Sequence, residues 1–187
     1  MQKTNKRQAL TYSLAAIFII FETVLGVLVQ TAKSGVAEIS YAAIILVFIF
    51  SIILFEKSRD WALVFVALLC TLCADYFLVL CGAQKKLIAM CFFSLTQICY
   101  FVRIYIGHES KKIKIIHIIS RISLILVSVI ATLLVLKESA DALSIVSIIY
   151  YANLILNVVF AFMQFKRPSA FAIGLLLFAF CDAFIGL

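Results

Sequence analysis

Seven runs of apolar residues, each close to the length that crosses a bilayer, leave this chain few ways to fold. They are Ala9–Val29, Ile39–Phe55, Trp61–Cys81, Leu87–Ile106, Ile115–Leu136, Leu143–Phe165 and Ala170–Leu187. A hydrocarbon layer of about 30 Å takes about 20 helical residues, and a helix satisfies its own backbone where no water can. With 66% hydrophobic residues, 17 Phe and a single Pro, the 187-residue chain is neither a soluble domain nor a disordered one. Its mean hydropathy of +1.20 says the same. The connections are short and none is a Gly/Pro/Ser-rich linker. The predicted fold is therefore all-α: one integral membrane domain over residues 1–187, a polytopic transmembrane helical bundle of seven helices. The first run lacks a small-x-small cleavage site and exceeds a signal-peptide core, so it is expected to remain as a helix.

The net charge of +7 has a topological cause. With the N-terminus cytoplasmic, the inner side receives Lys3, Lys6, Arg7, Lys57, Arg59, Arg103, Lys111, Lys112, Lys114, Arg121, Lys166 and Arg167. The outer side receives only Lys33, Lys85, Lys86 and Lys137. Such a bias is the positive-inside pattern and predicts an N-in orientation. Lys111, Lys112 and Lys114 read as a contact for anionic lipid at the membrane surface. No aromatic-rich groove accompanies them, so nucleic acid is not an expected partner.

The six cysteines, Cys70, Cys73, Cys81, Cys91, Cys99 and Cys181, lie within or at the edges of the apolar runs and are expected to be free thiols. Cys70 and Cys73 form a C-x-x-C, which inside a membrane helix is two small apolar side chains rather than a metal or redox pair. His108 and His117 fall in the basic loop and at the start of the fifth run, with no acidic partner at helical spacing, which makes a poor metal site.

Against this background the carboxylates stand out. Asp75 lies in CTLCADYFLVLCG and Asp182 in LLFAFCDAFIGL. A carboxylate facing hydrocarbon costs several kcal/mol, so such a residue turns toward the protein interior and marks a site. Glu22, Asp75 and Asp182 lie 13, 14 and 12 residues into spans of one direction, which places all three about 18–21 Å from the same edge. Two antiparallel spans add polar stripes: Ser94, Gln97 and Tyr100 on the fourth, and Tyr150, Asn153 and Asn157 on the sixth. These uncharged groups are commonly interhelical hydrogen-bond glue. The aspartates are harder to explain so, because the sequence offers no Lys or Arg at matching depth. Two carboxyl groups without a cation can divide into an acid and a base. Glu22 reads equally as a protonated glutamic acid bonded to a neighbouring helix. Aligning the aspartates also gives a shared D-x-F-[LI]-x-L pattern, a weak sign of a parallel internal repeat.

The chain resembles the YhhN-like lysoplasmalogenase family. The family's first aspartate signature is similar to Ala74, Asp75, Tyr76, Phe77 and Leu78, with Ala74 where Gly is usual. Its Phe-x-x-x-His-x-x-Tyr pattern resembles Phe93, Gln97 and Tyr100, with Gln97 in the place of His. Its second signature is similar to Gly174, Phe178, Cys181 and Asp182, with Cys181 for Ser, and its sixth-helix Tyr matches Tyr150 or Tyr151. A Lys-Pro common around the family's second helix is absent. The family's bundle has eight helices, one more than the seven runs of this chain, which implies either a further helix beyond Leu187 or a shortened relative.

The resemblance implies hydrolysis of the vinyl-ether bond of a lysoplasmalogen, with Asp75 and Asp182 catalytic and neither cofactor nor metal. Protonation of the β-carbon gives an oxocarbenium-like centre that water attacks, which two aspartates can manage. Gln97, Tyr100, Tyr150, Asn153, Asn157 and Glu22 would bind the lysophospholipid substrate. Membrane lipids are the other expected partners and a bacterial cell membrane the expected location. Two alternatives stay open: a lipid or small-molecule binder or transporter that uses the same carboxylates, and an inactive bundle of the same fold. The only Pro, Pro168, falls at the start of a span rather than mid-membrane, which disfavours the broken helices of a transporter.

Overall fold

The computed structural model describes residues 13, 17, 20, 24, 38, 39, 41, 42, 44–46, 48, 49, 58–81, 85–108, 110–164 and 170–186. The positions before 58 among these are helical, and five helices come after them: α1 (Arg59–Asp75), α2 (Lys86–Gly107), α3 (Lys111–Leu136), α4 (Ala142–Gln164) and α5 (Ala170–Gly186). The protein is an all-α membrane bundle. Stretches Arg59–Leu78, Lys86–Gly107, Lys111–Leu136 and Ala142–Met163 are long and apolar enough to cross a bilayer, whereas the apolar stretch Ala170–Phe180 is shorter. Four full spans and a short fifth thus stand, among the described residues, where the last five of the seven runs are predicted. The first two runs fall largely outside the described residues.

Local chemistry sets the helix ends. Ser58 caps α1 by accepting the Trp61 N–H at 3.0 Å, and Asp141 does the same for α4 through Ser144 N–H at 2.8 Å. α3 starts at Lys111, four residues before its apolar run, so Lys111, Lys112 and Lys114 occupy its first turn rather than a loop. After Asp75 the helix widens into a π-helical turn, Tyr76–Leu80, before reaching Cys81.

α4 packs against α2, α3 and α5, and α1 packs against α2. Lipid tails are as apolar as Leu, so these seams depend on close packing and hydrogen bonds rather than on expelling water. Ala67 and Ala74, two turns apart on α1, are fully buried. The small side chains let α2 approach until Thr96 donates to the Ala67 carbonyl at 3.1 Å and meets the Thr71 hydroxyl at 3.2 Å. At one end of the bundle Arg103 of α2 pairs with Asp60 of α1 at 2.5 and 2.8 Å. The same guanidinium lies 3.8 Å over the Phe171 ring of α5. That end also carries the α2–α3 turn and the three lysines, which makes it the basic end of the bundle.

Candidate functional site

Counting 1.5 Å per residue from the basic end sorts the interior polar groups into two layers. Asp182 of α5, Tyr150 of α4 and Asp75 of α1 lie about 18–24 Å in. Gln97 of α2, His117 and Arg121 of α3, and Asn153 and Asn157 of α4 lie about 9–16 Å in.

The deeper layer joins three helices. Tyr150, fully buried, donates its hydroxyl to Asp182 Oδ2, and Tyr151 donates to the Asp182 backbone carbonyl at 3.1 Å. Both tyrosines matched to the family's sixth-helix position therefore hold the same residue. Asp75 lies within electrostatic reach of Asp182. Its neighbour Ala74 joins Phe93, Tyr150 and Leu154 in one buried cluster, against which Phe178 and Leu78 pack. Phe93 sits between the Tyr150 and Phe178 rings, with centroids 5.7 and 6.4 Å away. The carboxyl layer thus has an aromatic and aliphatic wall. Tyr41, which no sequence pattern singles out, donates to the Leu72 carbonyl at 3.2 Å and lies within electrostatic reach of Asp75.

The shallower layer is organised by a residue that the charge map placed at the rim. Arg121 is buried inside the bundle. Its Nη1 donates to Asn153 Oδ1, and its Nη2 donates to Asn157 Oδ1 at 2.7 Å. Nη2 also meets His117 Nε2 at 3.1 Å, and the guanidinium carbon lies 4.3 Å from the Phe101 ring centroid. Since a guanidinium can only donate, both asparagine oxygens turn toward it and both amide nitrogens turn away. Asn153 Nδ2 then donates to the Ile149 carbonyl at 2.8 Å. Asn157 Nδ2 donates to the backbone oxygen and to Oε1 of Gln97, each at 2.9 Å. His117 is stacked on Phe160 at 3.8 Å between centroids, with the Phe101 edge at 5.0 Å. Interior arginine is tolerable because amide oxygens, an imidazole lone pair and an aromatic face replace its water.

The polar stripe of the sixth predicted span is therefore divided between two jobs. Tyr150 belongs to the aspartates, while Asn153 and Asn157 belong to Arg121 and draw in Gln97. Tyr100 joins neither layer through a hydrogen bond of its own; its ring packs edge-on against Phe171, 5.5 Å away. Glu22 lies outside the described residues. The spacing of His117 and Arg121, four apart on one face of an otherwise apolar run, was the available signal for the missed cluster. At the turn, His108 is buried, and burial followed by the charge of Lys114 holds its imidazole below the ordinary histidine range. Among the described residues, Cys70, Cys73, Cys81, Cys91 and Cys99 are free thiols, and no three His, Cys, Asp or Glu side chains group as a metal site.

Residues 36–187 match the sequence model of the YhhN family. No curated protein and no solved structure matches the chain.

Proposed function

Because the chain belongs to the YhhN family, we propose that it is a membrane-embedded hydrolase that cleaves the vinyl-ether bond of lysoplasmalogens with Asp75 and Asp182. The observation that carries this reading is the convergence of Asp75 and Asp182, both partly buried, with the fully buried Tyr150 from three helices in one interior layer. Asp182, which accepts the Tyr150 hydroxyl, is the group equipped to carry negative charge, and Asp75 is the proton donor. Asp75 delivers its proton to the vinyl β-carbon, and the adjoining carbon becomes an oxocarbenium ion facing the Asp182 carboxylate. Water adds to that carbon and gives its proton to Asp182. The resulting hemiacetal gives its hydroxyl proton to Asp75 as its bond to the glycerol oxygen breaks; that oxygen takes the proton from Asp182, and a fatty aldehyde is released. One water is consumed and both carboxyl groups return to their starting states.

The single alkenyl chain would lie among the Phe, Leu and Ile side chains, reached laterally from the bilayer. Charge bias supports an orientation with the N-terminus and the basic end at the cytoplasm. The test is aldehyde release by the purified protein offered alkenyl and ester lysolipids. Asp75→Asn and Asp182→Asn should each reduce release of aldehyde from the alkenyl lipid by about a hundredfold or more, since an amide neither supplies an acidic proton nor holds a negative charge. Near-normal turnover in both variants would remove the assignment. A second reading, a lipid-binding bundle without turnover, is favoured by one observation: Gln97, where the family pattern has His, is tied to Asn157 rather than to an aspartate. Binding of alkenyl lysolipid with no aldehyde formed would select it.

A further inference from the structure

The hydrogen bonds around Arg121 all run one way, and they end on donors that have nothing to donate to. Four buried side-chain nitrogens lack a partner among the described residues: Arg121 Nε, His117 Nδ1, Gln97 Nε2 and His108 Nε2. All four belong to this one cluster or its approach. Three are donors by necessity. Arg121 Nε carries a hydrogen at any ordinary pH. His117 Nε2 accepts from Arg121, so the ring hydrogen is on Nδ1. Gln97 Oε1 accepts from Asn157, so its amide NH2 points the other way. Flipping any amide would set donor against donor, so the chain of bonds is fixed from the guanidinium outward.

The cluster also holds a positive charge with no carboxylate within ion-pair distance among the described residues. A buried donor left unpaired costs on the order of 1–3 kcal/mol, and a buried charge more. One addition answers both deficits: a group that only accepts hydrogen bonds and carries negative charge. The approach has the same character. His108 is 6.2 Å from His117 between ring centroids, and Lys111, Lys112 and Lys114 form the first turn of α3. Three lysines at the positive end of a helix dipole add to its positive potential, and together they raise the local concentration of anions.

We propose that Arg121, His117 and Gln97 form a binding site for a phosphate group, approached from the basic end of the bundle past His108. A phosphate offers three or more acceptor oxygens, as many as there are unpaired donors, and brings the negative charge that the cluster lacks. The proposal deepens the hydrolase reading and rests on it for the identity of the bearer, a lysophospholipid. Asn153, bonded to Arg121, is one turn from Tyr150, bonded to Asp182, a step of about 4.5 Å along α4. A glycerol arm of a few bonds, roughly 6–7 Å when extended, joins a phosphate to a vinyl ether and fits that step. The Arg121 layer would then hold the head group while the aspartate layer holds the reacting bond.

The test measures binding rather than turnover, with the purified full chain in detergent and calorimetric detection. The probes are a saturated alkyl-ether lysophosphocholine, the alkylglycerol of the same chain length and inorganic phosphate. None has a vinyl ether, so the outcome does not depend on hydrolysis. The lysophosphocholine should bind about tenfold or more tightly than the alkylglycerol. Arg121→Gln should abolish that preference. Gln97→Leu should weaken it about three- to tenfold and is the safeguard if Arg121→Gln does not fold, because Asn157 keeps the Gln97 backbone oxygen as its acceptor. Inorganic phosphate bound with the same dependence on both residues would support the site and make free phosphate its ligand. Equal binding of the two ethers, or a preference that survives Gln97→Leu and Arg121→Gln, would overturn the proposal. Aldehyde release without phosphate-dependent binding would refute this inference alone; phosphate-dependent binding without aldehyde release would refute the hydrolase reading alone.

Discussion

Replacing Asn157 by Leu should destabilise the bundle more than any other substitution of similar volume in the shallow layer, and the reason can be worked bond by bond. The Asn157 oxygen accepts from the Arg121 guanidinium at 2.7 Å and its nitrogen donates twice to Gln97 at 2.9 Å. A hydrogen bond to a charged group contributes about 1.5–3 kcal/mol, and neutral interhelical bonds in membrane bundles contribute about 0.6 kcal/mol each. Leu has the same branched shape and is the larger side chain, so no cavity is left, and the lost bonds alone should cost about 3–4 kcal/mol. Reversible unfolding in mixed detergent micelles gives the single-variant values. The decisive quantity is the double-mutant cycle with Arg121→Met. Removing the guanidinium first leaves Asn157 with only its Gln97 bonds, so the two losses should fall short of additivity by about 1.5 kcal/mol. Additivity to within about 0.5 kcal/mol would mean that the two side chains do not act on each other, and the reasoning would fail.

Tyr150→Phe removes the hydroxyl bonded to Asp182 but keeps the ring against Phe93, so the fold should persist while aldehyde release falls about tenfold to a hundredfold, measured by initial rates on alkenyl lysolipid. His108, held below the ordinary histidine range by burial first and Lys114 second, should move only part of the way back in Lys114→Ala, as read by NMR titration. Because its folded pKa is depressed, His108 has no effect on stability well above the usual value of 6.5 and destabilises the fold progressively as pH drops below it, levelling off once pH falls below the depressed value. His108→Gln should flatten that part of the pH profile.

The bundle was legible from the chain because the solvent imposes one rule on every residue: a run of about 20 apolar residues crosses, and a carboxylate inside it turns inward. Asp75, Asp182 and Tyr150 follow from that rule together with helical spacing. Arg121 did not, because charge counting near a span end treats every basic residue as a rim group. It is buried by acceptors on Asn153 and Asn157, more than 30 positions later, and only tertiary structure brings them together. The extension of α3 back to Lys111 escaped for a related reason: lysine forms helix well, but an apolar pattern cannot register it. The widened turn at Tyr76–Leu80 has no compositional signature at all, since YFLVL suits an ordinary helix equally well.

That widened turn bears on how this segment tolerates changes in length. A π turn is an α-helix holding one residue more than its hydrogen-bond ladder was built for. Deleting a single residue between 76 and 80 would not break the helix; it would let the ladder close with regular spacing. Because the turn itself takes up the surplus residue, Asp75 on one side and Cys81 on the other would both keep roughly their places. An aligned relative one residue shorter at this place would therefore be expected to keep the aspartate and the position of the residue that follows the turn. The surplus residue is slack stored in the turn, and a change of one in length there would leave the carboxyl layer as it is.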